Sequence, residues 1–229
     1  MKILLKSSFK FLYTFFIQLI KRNVVISKSS FYLVKLNIAN SNSGIFKMSE
    51  IYTSVISQTG SNNCIEVHNA SISNSEISIT GSNNKLILES GVNLRGSTIH
   101  IRGKNCIVKI GVNTTFGGIR IVNTGLNNNI EIGQNCLFAD FIELWASDTH
   151  SIFDSQGKFI NPERSVIIED NVWIGSHVKI LKGVTIGTGA VVGMNALVTK
   201  DIEPKTLNIG NPSRSIKENI SWSLKYENE

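Results

Sequence analysis

Proline is nearly absent from this 229-residue chain: three occur, Pro162, Pro204 and Pro212, and all lie in the last third. Proline cannot donate to a β-ladder, so its scarcity leaves most of the chain free to form uninterrupted strands. Cysteine is equally sparse. Cys64, Cys106 and Cys136 are odd in number, match no zinc-ligand spacing and each follow an asparagine; they read as buried apolar thiols in a reducing compartment. No long hydrophobic run occurs at the N-terminus, where the longest uncharged stretch of MKILLKSSFKFLYTFFIQLIKR is the ten residues Phe11 to Ile20. That is about half of a bilayer span. The run ends in Lys21 and Arg22 without the small residues of a secretory cleavage site, so neither a span nor a signal peptide is expected.

Charge is unevenly placed. The net +6 conceals eight basic residues against Glu50 alone in residues 1–50, which leaves 15 basic and 16 acidic in the remaining 179. A nucleic-acid binder carries its basic face on the folded body, and this body is balanced, so no nucleic-acid partner is expected. Two readings of the N-terminal segment stand. Cations beside aromatics in residues 1–22 suit contact with an anionic membrane face, and the same segment suits a helix that caps the open edge of a β-solenoid.

What the chain does have is a period of six. Ile168, Ile174, Ile180, Ile186, Val192 and Val198 are six apart, and Val172, Val178, Val184, Ala190 and Ala196 follow the first five by four. Neither the helical period nor strict alternation fits this spacing. Upstream, four phrases restart with Gly and Asn at Gly60, Gly81, Gly103 and Gly125. Val67, Leu88, Ile110 and Ile132 follow them at intervals of 21, 22 and 22. Such a period belongs to stacked coils, each burying its apolar face against its neighbours. A hexad is one short strand plus one corner, and three hexads close a triangle. The expectation is an all-β parallel β-helix over residues 51–214, with a basic, apolar arm at 1–50 and a C-terminal helix or tail at 215–229.

The repeat breaks once, between Trp145 and Ser165, in WASDTHSIFDSQGKFINPERS. Long excursions from a compact domain usually carry function, and this one holds Asp148, His150 and Asp154. His68 and His100 sit in strand phrases and read as structural or surface groups, and His177 falls at an outward place of its hexad.

The phrases SDTHSIFD at Ser147, VIIEDNVWIGSHVKILKGVTIG at Val166, VVGMNALVTKDI at Val191 and IGNPSR at Ile209 resemble the hexapeptide-repeat acyltransferases. Within them the likeness is to bacterial capsular and surface-polysaccharide O-acetyltransferases, including sialic acid O-acetyltransferases. The resemblance covers roughly the last 100 residues. It implies a left-handed helix, a homotrimer with clefts between protomers, and acetyl transfer from acetyl-CoA to a sugar hydroxyl in the cytoplasm, at the inner membrane face if the arm binds it. His150 falls at the family's catalytic histidine, and imidazole is the side-chain type suited to proton abstraction near neutral pH. Asp148 would orient the ring or contact the acceptor. Trp173, with Trp145 at the mouth of the loop, would shape the acceptor cleft. Ser176, Met194, Thr199 and Lys200 fall on the family's coenzyme wall, and Arg214 and Lys217 near its phosphates; no metal is implied. The commoner phrase has Ala after GNP where this chain has Ser213. Two alternatives share the repeat: a non-enzymatic binding scaffold, and an acyltransferase acting on a small molecule or nucleotide sugar. A γ-class carbonic anhydrase would need a histidine trio that the C-terminal half, with His150 and His177 alone, does not supply.

Overall fold

The computed structural model describes residues 23–225. They form a left-handed parallel β-helix of triangular section. Its three walls are sheets of eight, ten and eight strands, parallel throughout except for the last strand of the second, and they begin at Val24–Ser27, Ser30–Tyr32 and Lys35–Ile38. Each coil contributes one strand to each wall in turn. Register is strict: in the first sheet Ile65, Leu86, Val108 and Ile130 stand over one another.

The six-residue period is the cause. All six aliphatics from Ile168 to Val198, and the five residues that follow them by four, are buried in one continuous core. Val67, Leu88, Ile110 and Ile132 belong to the same core. Most walls of the hexad coils are strands of only two residues, such as Trp173–Ile174 and Lys179–Ile180. Burial of that prism supplies the main stabilising term.

Upstream, the third corner is enlarged. Strands Glu76–Ser82, Thr98–Lys104 and Ile119–Leu126 run on past the corner through the glycine phrases. A buried asparagine ladder follows this corner. Asn84 Oδ1 accepts from Cys106 N at 2.9 Å, while its Nδ2 donates to Thr80 O at 2.9 Å and Gly103 O at 3.0 Å. Asn63 makes the equivalent bonds one coil earlier. Interior strands thus keep their backbone groups paired even where the chain departs from the hexad.

Two expectations are corrected here. The boundary drawn at residue 50 falls inside the solenoid, because coils start at Val24 and bury Phe31, Phe46, Ile51 and Ile56. Polar corner residues masked those inward positions. The arm proper, residues 1–22, lies outside the described residues, as does its contact with a membrane. No helix follows the coils among the described residues: Arg214–Lys217 is an exposed strand paired antiparallel with Leu207–Ile209. It covers the end of the second sheet, so the closing element is a strand.

All three cysteines are free thiols. Cys106 and Cys136 are buried, and burial pushes both thiols up, Cys136 to about 11. Cys64 departs from the expectation: it is half-buried, with Sγ 3.8 Å from Glu66 Oε1.

Candidate active site

The excursion leaves the third sheet after the strand Ile142–Trp145 and rejoins the first sheet at Val166–Ile168. It is ordered by its own polar groups. Phe153 bridges Phe159 across a turn at Asp154, whose Oδ1 accepts from Gln156 N and Lys158 N at 2.9 Å each. Asn161 ties the two arms together: its Oδ1 accepts from Ile152 N at 2.6 Å, and its Nδ2 donates to the His150 carbonyl at 2.9 Å and to Asp148 Oδ2 at 2.8 Å.

Asp148 is held from the next coil as well. Lys182 Nζ donates to Asp148 Oδ2 and, at 3.0 Å, to the Asn161 carbonyl. Burial raises the Asp148 carboxyl, but the hydrogen bonds from Lys182 and Asn161 and the nearby ammonium charge bring it below its ordinary value. A carboxylate depressed by folding stabilises at pH above its unfolded value, and that stabilisation is lost as pH falls through the lower folded value. The clamp is therefore intact at neutral pH. Protection factors for amide exchange across residues 148–161 should fall in Lys182→Met, and in the unaltered protein once the pH drops below the ordinary carboxylate range. Exchange unchanged by either perturbation would remove the clamp from the account. The global melting temperature should barely move, because the carboxyl is nearly half exposed.

His150 is exposed, and its side of the loop faces the third sheet. It lines a groove of about 410 Å³ with Trp145, Thr149, His100, Arg102 and Arg120, among others. Trp145 is half-buried; its Nε1 donates to Glu143 Oε2 at 3.0 Å, and the Arg120 guanidinium lies over its ring at 5.2 Å. His150 and Trp145 are thus brought together. His100, expected from its strand phrase to be a structural or surface group, lines the same groove. His177 stacks on Phe141 at 4.9 Å, away from it.

Trp173 lies elsewhere. It stands on the second sheet, 39% exposed, with the Trp222 ring 6.0 Å away. Trp222 Nε1 donates to Asn171 O at 2.6 Å, so the tail folds back beside Trp173. Within one chain, His150 and Trp173 occupy different walls of the prism. Ser176 and Met194 share the second corner in adjacent coils, where Ser176 O accepts from Asn195 N at 3.0 Å. Thr199 and Lys200 are exposed at the third corner of the last coil. Lys200 and Arg214 line one cleft of about 480 Å³ at the C-terminal end, which also holds Asp201, Glu203 and Glu218. Asp201 Oδ1 already accepts from Thr185 N at 2.7 Å. Lys217 does not line this cleft. Among the described residues, no three His, Cys, Asp or Glu side chains gather as they would around an ion.

Sequence reasoning missed Asn161 and Lys182, which fix the loop, and Arg102, Arg120 and His100, which complete the groove. The one available signal was the interval of 22 residues, which sets His100 beside Val122 and Arg102 beside Thr124.

Residues 165–200 match the family model for the bacterial transferase hexapeptide (six repeats). A polysialic acid O-acetyltransferase of Escherichia coli O1:K1 is 36% identical over 132 residues, which are 57% of this chain and 42% of that protein. The chain spans about half the length of the curated relatives it matches. The crystal structure of the polysialic-acid-specific acetyltransferase NeuO superposes with a TM-score of 0.69 at 28% identity, covering 90% of this chain and 89% of that one. The polysialic acid O-acetyltransferase OatWY gives 0.68 at 29% identity, covering 90% and 94%. The chain carries the bacterial transferase hexapeptide repeat, and its fold extends along nearly the whole length of those two structures.

Proposed function

We propose that this hexapeptide-repeat β-helix is an O-acetyltransferase that moves acetyl from acetyl-CoA to a sugar hydroxyl of a cell-surface polysaccharide. The acceptor belongs to a capsular, sialic-acid-containing or O-antigen-like glycan. One observation carries the reading: the only long excursion from the repeat among the described residues holds His150, an exposed imidazole, at a groove of about 410 Å³ beside Trp145. The identity to the polysialic acid enzyme and the superposition on NeuO and OatWY support it.

His150 acts as the general base. It takes the proton from the acceptor hydroxyl while that oxygen bonds to the acetyl carbonyl carbon. The carbon–sulfur bond breaks, and the imidazolium returns the proton to the departing thiolate. Asp148 contributes through the loop: its hydrogen bonds run to Lys182 and Asn161, and Asn161 holds the His150 carbonyl. Asp148 is thus a positioning residue. Lys200 and Arg214 are the cations suited to the phosphates of the coenzyme, through charge-assisted bonds on their side of the C-terminal cleft. Ser176, Met194 and Thr199 supply wall and backbone; Lys217 takes a peripheral place.

Because His150 and Trp173 sit on different walls, a cleft containing both requires neighbouring copies, which is the reason for proposing a homotrimer. No helix among the described residues is long and apolar enough to cross a membrane. The proposed location is the cytoplasm. The test is release of the coenzyme thiol from acetyl-CoA in the presence of a glycan panel. Release stimulated by a polysaccharide, with acetyl ester appearing on it, is expected. Stimulation confined to small molecules or nucleotide sugars would establish the alternative acyltransferase, and release without any acceptor dependence would contradict the assignment.

A further inference from the structure

Trp173 stands on a strand of two residues, and that strand does little to fix its side chain. Ile174 points into the core, while Trp173 points outward in a row with Leu137, Val191 and Leu207 of neighbouring coils. These three neighbours are aliphatic. They offer an indole no stacking partner and leave it several staggered positions.

The C-terminal tail supplies what the row lacks. After the strand Arg214–Lys217 the chain turns back along the first corner, between the first and second sheets. Ile220 N donates to Lys205 O at 3.0 Å, and Trp222 Nε1 donates to Asn171 O at 2.6 Å. Asn171, Gly189 and Lys205 hold that corner in successive coils, each with positive φ. Each stands two residues before the outward residue of its coil, Trp173, Val191 and Leu207, which are themselves in register. The tail therefore runs back over two coil steps, about 10 Å, alongside this row. Val191, midway between the two anchors, is only 7% exposed although Val192 and not Val191 joins the core, so this part of the wall is covered. At the end of the run the half-buried Trp222 ring lies 6.0 Å from that of Trp173 and is inclined to it by 44°. That separation is within the range over which aromatic pairs attract.

The two indoles differ in the use of their N–H groups. That of Trp222 is committed to a corner carbonyl; among the described residues, that of Trp173 has no partner. Trp222 is thus the anchored member of the pair, and Trp173 presents an open ring edge and a donor to whatever enters the cleft.

We infer that Trp222 is a positioning residue for the transfer reaction: the tail ties it to the first corner, and its ring holds the Trp173 indole at the acceptor cleft. The inference rests on the acetyltransferase reading above and on Trp173 shaping the cleft there; it adds the C-terminal tail to the site. The copy that presents Trp173 to a neighbour's His150 carries its own Trp222, so every cleft contains a complete pair.

Circular dichroism in the indole bands and initial rates are measured on Trp222→Ala, Trp222→Phe, Trp173→Ala and the double alanine variant, with acetyl-CoA and a sialic acid oligomer as substrates. Two indoles this close couple their transitions, so the unaltered protein should show a pair of bands of opposite sign that either alanine substitution removes. Trp222→Ala should raise KM for the oligomer about threefold to tenfold, the factor carried by one aromatic pair. KM for acetyl-CoA should stay unchanged, and Trp222→Phe, which keeps a ring, should recover part of the loss. In the Trp173→Ala background, removing Trp222 as well should cost nothing more, because its effect passes through the indole already gone. An unchanged acceptor KM in Trp222→Ala, or losses that simply add in the double variant, would overturn the inference while leaving the acetyltransferase reading intact. Coupled bands abolished by both alanine substitutions, with no oligomer acetylated by the unaltered protein, would instead refute the enzymatic reading and reduce Trp222 to a packing contact. Should Trp222→Ala fail to fold, Trp222→Leu, which keeps the apolar bulk without the ring, takes its place in the same cycle.

Discussion

His150→Ala should lower turnover by about 10² to 10⁴, the range that a positioned general base contributes. Binding of acetyl-CoA should be unaffected, because the residues proposed for the coenzyme lie at the second corner and at the C-terminal end of the coils and do not line the His150 groove. Stability should also be unaffected: the His150 side chain is exposed, and the loop is held through its backbone carbonyl, which accepts from Asn161 whatever the side chain. Steady-state kinetics with separate variation of acetyl-CoA and acceptor, together with a urea titration, read all three. A variant that folds, binds coenzyme and turns over at an undiminished rate would deprive His150 of its role.

The second large effect is structural and falls at the enlarged third corner. Gly60, Gly81, Gly103 and Gly125 stack across coils with their backbones in contact: a Cβ on Gly81 would come within 2.0 Å of Gly103 O and 2.9 Å of Gly103 C. The obstacle is backbone and is itself fixed by the next glycine, since a Cβ on Gly103 would meet Gly125 O at 1.9 Å. Relief requires parting two coils whose hydrogen bonds and asparagine ladder run through that corner. Gly81→Ala should cost more than about 3 kcal/mol, placing it among the most damaging single substitutions. Gly157→Ala is the control. Gly157 also has a positive φ, +78°, but nothing lies within 4 Å of its Cβ position. That substitution should cost only the conformational strain of about 1–2 kcal/mol, confined to the loop. Equal shifts of the urea midpoint for the two variants would show that the coil contact does not limit stability.

Legibility in the sequence followed the regularity of the coils. Between Val166 and Val198 every inward position is a small or branched apolar residue and every corner keeps its length, so the triangle could be read directly. In the first coils the inward-facing set includes Asn42 and Ser49, which are buried but polar because they hydrogen-bond from coil to coil. Hydrophobic periodicity is blind to such residues, which is why the coils from Val24 to residue 50 were mistaken for an arm. The terminal strand Arg214–Lys217 has all four residues exposed and pairs only through its backbone, so nothing in its side chains distinguished it from a helix.

The candidate site divides the same way. Trp145 and His150 were visible because one opens the break in the repeat and the other lies within it. Lys182 and Asn161 were not: their bonds to Asp148 span 34 and 13 residues, and no local pattern marks them. Arg102 and Arg120 are outward residues on ordinary strands, meaningful only once the register sets successive coils side by side. The separation of Trp173 from His150 could not be read at all, because it depends on which wall each strand joins.

The most direct measurement is mass spectrometry of a defined sialic acid oligomer after incubation with acetyl-CoA and either the unaltered protein or His150→Ala. Acetyl ester should accumulate on the oligomer in step with coenzyme thiol release, and only with the unaltered protein. Thiol release that leaves every glycan unmodified, or ester formed as quickly by the alanine variant, would contradict transfer to a sugar at the His150 groove.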